Sequence, residues 1–159
     1  MKINDVLNPS AVSADLKSTT KEEVIAELVG LLIDAGEIEK KHKSKILDVL
    51  RAREALGSTA IGQGIAIPHA KCDCVKKLVG CMGVSKKGIN FDSLDGEPAY
   101  IFFMLVAPVD SAGPHLKALA RISRLLKDKY IRESLKVGKD EKTIFKLIQR
   151  EDARLAPLL

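Results

Sequence analysis

Apolar residues near the start of the chain recur at the spacing of one helical face. They are Val24, Leu28, Leu31 and Leu32. Three- to four-residue steps of this kind are typical of an amphipathic helix. Thr20 and Glu23 stand three residues apart at its beginning, as in a capping box. Gly36 follows the run and suits the left-handed position just after a helix. The pattern therefore predicts a helix between Thr20 and Gly36.

A second helix is predicted from about Glu39 to Leu56, directly before Gly57. Its apolar face is formed by Ile46, Val49 and Leu50.

The pattern changes after Gly57, where β-branched residues occur in short groups between glycines. This segment predicts a strand, a turn, a second strand and a second turn as far as residue 70. Two further strands are predicted at Lys77–Val84 and Ala99–Ala107, the second from an almost unbroken apolar run. Asp95 and Gly96, between them, are typical of a turn.

Helical spacing returns in the last third of the chain. Gly113 and Pro114 open a helix there, with the proline at its first position. Its predicted buried stripe consists of Leu116, Leu119, Ile122 and Leu126. A short helix is predicted at 131–137, and Asp140 caps a last one. The last helix turns Ile144, Leu147 and Ile148 inward.

Helices, then strands, then helices predict an α/β layered domain with a mixed sheet. The chain has 159 residues, of which 46% are hydrophobic and 4% aromatic. We therefore expect one domain, 1–159, with an aliphatic core. No internal repeat or dividing linker is visible.

Charge and segment composition narrow the class of protein. The net charge is +5, with basic and acidic residues mixed along the chain. This distribution does not indicate a nucleic-acid surface, which needs basic residues clustered on one face. The longest apolar run is too short for a membrane helix, and no signal peptide is visible. Three cysteines cannot all pair internally, so we expect a reducing, cytoplasmic setting.

Two of the three histidines stand at positions typical of a site. His42 lies among lysines and is interpreted as a solvated surface residue. His69 and His115 each adjoin a proline and follow an apolar strand, where α/β folds build sites. His115 falls in the first turn of its helix, where the dipole disfavours a charged ring. A neutral imidazole is what nucleophilic catalysis requires.

Other interpretations of these residues stay open from spacing alone. His69, Cys72, Cys74 and Cys81 could supply four zinc ligands, although C-x-C is not the usual zinc spacing and Cys81 is interpreted as a core thiol. Cys72 or Cys74 could also serve a Cys–His hydrolase. The favoured interpretation places these two cysteines on a solvent-exposed turn.

Arg51 and Arg53 end the second helix, where cations complement the helix dipole. This position at the helix end accounts for one of the two arginines. The other could bind an anion held by the loop from Gly57 to Gly64, because a guanidinium matches phosphate geometry.

A long segment around His69 resembles the active-site signature of a known family. Glu54, six residues and then IGQGIAIPHA at 61–70 are similar to the signature of the fructose/mannitol-type EIIA proteins. These belong to the bacterial phosphoenolpyruvate-dependent phosphotransferase system. The Arg53-Glu54 pair, FDSLDGEP at 91–98 and His115-Leu116 also resemble the family. The similarity spans nearly the whole chain in order.

This resemblance implies both a fold and a chemistry. The implied fold is a three-layer sandwich of helices around a small mixed sheet. His69 matches the histidine that accepts a phosphoryl group from the carrier protein HPr. His115 matches the second active-site histidine, and Arg53 the arginine that balances phosphate charge. The hydroxyls of Ser58 and Thr59 are further candidates for phosphate binding. No metal or other cofactor is required, because phosphoryl transfer depends mainly on positioning and electrostatics.

The resemblance leaves two branches of the family open. Sugar-transport EIIA proteins pass phosphate to a membrane-bound EIIB/EIIC pair. Nitrogen-type EIIA proteins bind regulatory target proteins according to their phosphorylation state. With no EIIB-like extension before Leu159, we favour the nitrogen-regulatory branch. In either branch the expected class is a protein-histidine phosphotransferase component, with no nucleic-acid partner and no membrane insertion.

Overall fold

The computed structural model describes residues 1–155. In residues 1–155, five α-helices and six β-strands follow one another in the predicted order, with two strands more than predicted: one at the start of the chain and a third short strand between residues 60 and 71. The strands are β1 Leu7–Ser13, β2 Ala60–Gly62, β3 Ile65–Ala66, β4 His69–Lys71, β5 Val79–Ile89 and β6 Ala99–Ala107. The helices are α1 Lys21–Asp34, α2 Lys43–Ala55, α3 Ala112–Leu126, α4 Lys129–Lys136 and α5 Glu141–Ala153. Short 3-10 turns at Ile3–Asp5 and Lys40–His42 complete the described part.

The six strands form one mixed sheet: five follow the order β1-β5-β6-β3-β2, and β4 also pairs with β6. β5 and β6 pair antiparallel, whereas β1 runs parallel to β5, and β3 and β4 run parallel to β6. β3 and β4 share the same neighbour at successive positions, since Ile65 pairs with Ile101 and His69 with Leu105. The signature segment therefore lies along β6, with Pro68 between its two short strands.

The sheet separates two hydrophobic cores. Along β6, Phe102 and Met104 face the core under α1 and α2, while Phe103 and Leu105 face the core under α3, α4 and α5. Alternate side chains of a strand point to opposite faces, and both faces of β6 are covered. Residues 99–107 are consequently apolar throughout, which is why this strand was predicted with its correct bounds.

The ends of α1 follow the sequence prediction. The Thr20 side chain accepts from the Glu23 backbone N–H at 3.2 Å, and the Glu23 carboxylate accepts from the Thr20 N–H in return. After the helix, Gly36 has φ 78°, a left-handed value that favours glycine. Its N–H bonds to Ile33 and that of Glu37 to Leu32, which is a Schellman ending.

A buried ion pair connects the two ends of the chain to α3. Arg121 Nε donates to Asp152 Oδ1 at 2.6 Å, and the backbone N–H of Ile3 donates to Asp152 Oδ2 at 2.8 Å. The side chains of Arg121 and Asp152 are 10% and 3% exposed. Because a buried charge without a partner is costly, this pair fixes α3 against α5 and the N-terminal turn.

The sequence analysis missed β1. Asn8, Pro9 and Ser10 are turn-forming residues, and they conceal the strand pattern around them. The pairing of β1 with β5 is irregular between Leu7 and Val12, which accommodates the proline at the edge of the sheet.

Two details of α3 also differ from prediction. The helix begins at Ala112, so Pro114 occupies its third position and not its first. Leu116 was assigned to the buried stripe, but its side chain is 67% exposed. Ile122 and Leu126 do face the core. Among residues 1–155, no helix is long and apolar enough to cross a membrane.

Candidate active site

His69 begins β4 and points toward α3. It pairs with Leu105, which belongs to the core under α3, and side chains paired across parallel strands lie on the same face. Backbone bonds on either side hold the segment: the N–H of Ile67 donates to the Thr59 carbonyl at 3.0 Å, and the N–H of Leu105 donates to the Pro68 carbonyl at 2.9 Å. The ring is thereby fixed at the sheet edge while remaining partly exposed.

The hydrogen bond of the His69 ring determines which tautomer the neutral ring adopts. Nδ1 lies 2.7 Å from the carbonyl oxygen of Ile67. A carbonyl only accepts, so Nδ1 carries the proton and Nε2 of the neutral ring keeps its lone pair. Burial lowers the pKa of His69 below 6.5, and the positive charge of Arg53 lowers it further, against opposing effects of the Ile67 carbonyl and Glu54. The neutral ring is therefore the prevailing form near pH 7.

His115 faces His69 from the first turn of α3. The ring centroids are 5.4 Å apart and the ring planes meet at 74°. His115 is 5% exposed, and its Nε2 is the one buried side-chain nitrogen or oxygen of residues 1–155 without a hydrogen-bond partner. Burial, followed by the charges of His69 and Lys71, lowers the pKa of His115 to about 4. Its unpartnered nitrogen suits a polar ligand.

Arg53 supplies a positive charge beside the two rings. It lies in the last turn of α2, and its guanidinium donates to the carbonyl of Gly57 at 2.8 Å. Arg51, the other candidate, is occupied elsewhere: its Nε donates to Glu22 of α1 at 2.9 Å.

His69, His115 and Arg53 meet at one open cavity of about 600 Å³. Most of its wall is apolar. The other residues that line it are Val49, Ala52, Leu56, Ala70, Lys71, Ala112, Leu116 and Leu119. Leu56 and Leu116 are 85% and 67% exposed at its rim, which explains why Leu116 does not enter the core.

Ser58 and Thr59 do not line this cavity. The Ser58 hydroxyl donates to the Phe91 carbonyl at 2.6 Å and accepts from the Ala60 N–H at 3.0 Å. The Thr59 hydroxyl donates to the Glu54 carboxylate, and Thr59 is 4% exposed. Both side chains hold the loop that supports the His69 segment.

The cysteines lie differently from the prediction. Cys72 and Cys74 form a disulfide, and Cys72 is 2% exposed, so the expected solvent-exposed turn is wrong for Cys72. The residue follows β4 into the core, where its N–H donates to the Ala107 carbonyl at 2.8 Å. Cys81 is a buried free thiol, as expected, and donates to the Leu28 carbonyl. Within residues 1–155, no three His, Cys, Asp or Glu side chains are grouped as metal ligands.

From the sequence, Glu54 was named in the family signature without a role, and Lys21 was not singled out. In the structure Lys21 Nζ lies 2.9 Å from the Glu54 carboxylate, directly behind the site. An acidic residue directly after Arg53 was a usable signal for Glu54. No local pattern indicates a partner 33 residues earlier.

Residues 5–151 match the family described as "Phosphoenolpyruvate-dependent sugar phosphotransferase system, EIIA 2". The chain belongs to this family of phosphotransfer proteins.

Its relatives carry two kinds of name. A nitrogen regulatory protein of Bradyrhizobium diazoefficiens is 36% identical over 98% of this chain and 100% of its own length. A fructose-specific EIIABC component of Bacillus subtilis is 38% identical over 96% of this chain, which spans only 24% of that relative. Among solved structures, the nitrogen regulatory protein IIA-Ntr of Neisseria meningitidis has a TM-score of 0.82 and 30% identity, covering 92% of this chain and 98% of that one.

Proposed function

We propose that the protein is a phosphocarrier that accepts a phosphoryl group on Nε2 of His69 from an HPr-type phosphocarrier protein. One observation carries the proposal. The Nδ1 bond to the Ile67 carbonyl leaves Nε2 as the only ring nitrogen with a free lone pair. That ring stands at an open cavity, where a partner protein can approach it.

The transfer is an in-line displacement at phosphorus. The lone pair of His69 Nε2 forms the new N–P bond, while the N–P bond of the donor breaks and its electron pair returns to the donor's ring nitrogen. Nδ1 keeps its proton and its bond to Ile67 throughout. The lowered pKa of His69 favours the step, because a protonated ring has no lone pair to give.

Arg53 and His115 stabilise the charge that spreads over the three phosphoryl oxygens. Arg53 contributes a fixed positive charge that can bind two oxygens. His115, with its proton on Nε2, donates to a third. Ser58 and Thr59 act through the loop that they hold. This chemistry needs no metal or other cofactor, because positioning and electrostatics supply most of the catalysis in phosphoryl transfer.

The apolar rim gives the partner a surface to dock on. Leu56 and Leu116 flank the two histidines and expose most of their side chains. Apolar side chains of this kind, around a central polar group, are typical of protein-binding patches. The proposed partners are the HPr-type donor and, after transfer, an EIIB domain or a regulatory target.

We favour a regulatory output, in which the phosphoryl group controls binding to target proteins. The similarity to nitrogen regulatory proteins over their full length supports it. The alternative is donation to a membrane EIIB/EIIC pair, which the fructose-specific relatives support. The cytoplasmic location expected from the sequence stays a prediction and fits either output.

Intact-protein mass spectrometry tests the proposal. Wild type and His69→Ala are incubated with phosphoenolpyruvate, enzyme I and HPr. We expect one acid-labile phosphoryl group on the wild type and none on the variant. Adding an EIIB domain separates the outputs: rapid loss of the group supports transport, and retention supports regulation. A wild type that gains no mass, or a variant that gains the same mass, would contradict the proposal.

A further inference from the structure

Two opposite charges stand next to each other in the sequence beside the reacting histidine. Arg53 lines the cavity, and Glu54, the next residue, does not. A free carboxylate at this place would pair with the arginine and repel an incoming phosphoryl group. The arrangement therefore needs something that keeps Glu54 occupied.

The Glu54 carboxylate is bound on the side away from the cavity. It accepts from the Thr59 hydroxyl and from the Thr59 backbone N–H at 3.3 Å, and it lies 2.9 Å from Lys21 Nζ. Its side chain is 6% exposed. Within residues 1–155, Arg53 makes one hydrogen bond, to the Gly57 carbonyl, and no ion pair. The positive charge of Arg53 therefore remains available to an anion in the cavity.

Lys21 is itself fixed by its surroundings. Its ammonium also lies 3.3 Å from Asp92 and 4.8 Å from the ring centre of Phe91, and its side chain is 20% exposed. By comparison, the side chains of Lys45 and Asp73 form an ion pair with 53% and 64% exposure. Exposed ion pairs of that kind contribute little to stability. The Lys21 ammonium is largely buried and contacts three groups, so its position is well defined.

We propose that Lys21 is a positioning residue of the active site: it binds the Glu54 carboxylate and thereby leaves Arg53 free to bind the phosphoryl group. This inference rests on the proposed phosphocarrier function. Lys21 lies at the start of α1, outside the signature around His69, and touches neither histidine.

The same contact controls the negative charge that His69 experiences. Glu54 is close enough to oppose the lowering of the pKa of His69. With Lys21 in place, part of that negative charge is balanced. Without it, Glu54 has two possible partners nearby, Arg53 and a protonated His69, and either contact removes a group that phosphoryl transfer uses.

A double-mutant test separates this role from a structural one. Lys21→Met, Glu54→Gln and the double variant are compared with the wild type, and Lys45→Met is the matched control. The rate of phosphoryl transfer from phosphorylated HPr is measured in a single turnover. We expect Lys21→Met to be at least tenfold slower, the double variant to regain most of that loss, and Lys45→Met to stay within twofold of wild type.

The rate of the folded Lys21→Met protein is the decisive result, and the rescue shows that Glu54 causes the loss. If Lys21 only stabilised the fold, a folded Lys21→Met protein would keep the wild-type rate, because an unpaired Glu54 would then lower only the stability. A double variant as slow as Lys21→Met, or a Lys21→Met variant as fast as wild type, would overturn the proposal. Thermal unfolding checks that each variant folds. If Lys21→Met does not, Lys21→Gln replaces it, since glutamine removes the charge and keeps a polar side chain at this partly exposed position.

Binding of inorganic phosphate provides a readout that does not depend on HPr. The dissociation constant is followed by NMR from the shifts of His69, His115 and Arg53. We expect weaker binding in Lys21→Met and recovery in the double variant. If the wild type accepts no phosphoryl group but phosphate binding follows this order, the proposed function fails and the role of Lys21 stands. If phosphoryl transfer occurs but neither readout depends on Lys21, only the inference fails.

Discussion

The two histidines of the cavity are held in opposite ways. His69 lies on a sheet edge, where a hydrogen bond to the Ile67 carbonyl fixes its ring. His115 lies on a helix, is more deeply buried, and leaves Nε2 without a partner. The first ring is already arranged for its reaction, while the second has a hydrogen-bonding group that the folded chain does not use. This difference supports the proposed roles, in which His69 is the nucleophile and His115 stabilises charge.

The surroundings of the two rings differ as well, polar near His69 and apolar near His115. Behind His69, the side chains of Lys21, Glu54 and Thr59 are bound to one another. Around His115, the neighbours on α3 are apolar, including Leu116 and Leu119. In the proposed function, this polar support holds His69 in place, and the apolar wall beside it offers a surface to a partner.

Removing His115 should have the largest effect that leaves the nucleophile intact. In His115→Ala we expect phosphoryl acceptance by His69 to fall roughly 10²–10³-fold, the usual cost of losing one preorganised donor to a developing charge. Single-turnover mass spectrometry measures it, and His42→Ala serves as the control. If His115→Ala accepts the phosphoryl group at a rate within threefold of wild type, His115 does not stabilise the developing charge.

Two aliphatic residues of α3, Ile122 and Leu116, should contribute very differently to the stability of the fold. Ile122 is 1% exposed, so Ile122→Ala should cost roughly 2–5 kcal/mol of unfolding free energy. Leu116 is 67% exposed, and Leu116→Ala should change it by less than about 0.5 kcal/mol. Urea unfolding measures both. An equal loss of unfolding free energy in the two variants would mean that Leu116 does belong to the buried stripe that the periodicity predicted.

Acid should destabilise the protein through His115. Its pKa in the folded state is about 4, below the ordinary 6.5, so the unfolded state binds the proton more readily between these values. This contribution to stability is fully present above pH 6.5 and is lost as the pH falls toward 4. At about 1.4 kcal/mol per unit it amounts to roughly 3 kcal/mol.

Urea unfolding at a series of pH values compares wild type with His115→Gln, which cannot titrate in this range. We expect the difference in slope between the two proteins to lie between pH 6.5 and 4. Parallel curves would mean that burial does not disfavour the charged ring.

The titration of His69 gives the smallest effect. Because its pKa is lowered, the ring stays mostly neutral at pH 6.5. The rate of phosphoryl acceptance should therefore change less than about twofold between pH 8 and 6.5, and fall only below that range. NMR titration of the ring proton on Cε1 measures the pKa directly. A value above 6.5 would show that Glu54 and the Ile67 carbonyl dominate over burial and Arg53.

The sequence predicted those parts of the fold in which local pattern and burial agree. Thr20, Glu23 and Gly36 act within a few residues of one another, so the ends of α1 could be read directly. β6 is covered on both faces and is therefore apolar throughout. β1 was missed because Pro9 stands within an irregular edge pairing that depends on β5, about 70 residues later.

For the candidate site, His69, His115 and Arg53 were predicted from their neighbours and from the family signature, and the structure brings them together at one cavity. Their roles stay a prediction. Leu116 was misassigned, because helical periodicity does not distinguish a core from a cavity rim. The Lys21–Glu54 contact joins two helices, and nothing in the residues around Lys21 indicates it.

In the proposed mechanism the fold leaves one nitrogen of one histidine able to accept the phosphoryl group, and NMR of the phosphorylated protein can identify that nitrogen. With ¹⁵N-labelled histidine, the nitrogen–phosphorus coupling identifies the nitrogen that carries the phosphoryl group. We expect Nε2 of His69, with Nδ1 still protonated and bonded to the Ile67 carbonyl. A phosphoryl group on Nδ1 of His69, or on His115, would contradict the proposed mechanism.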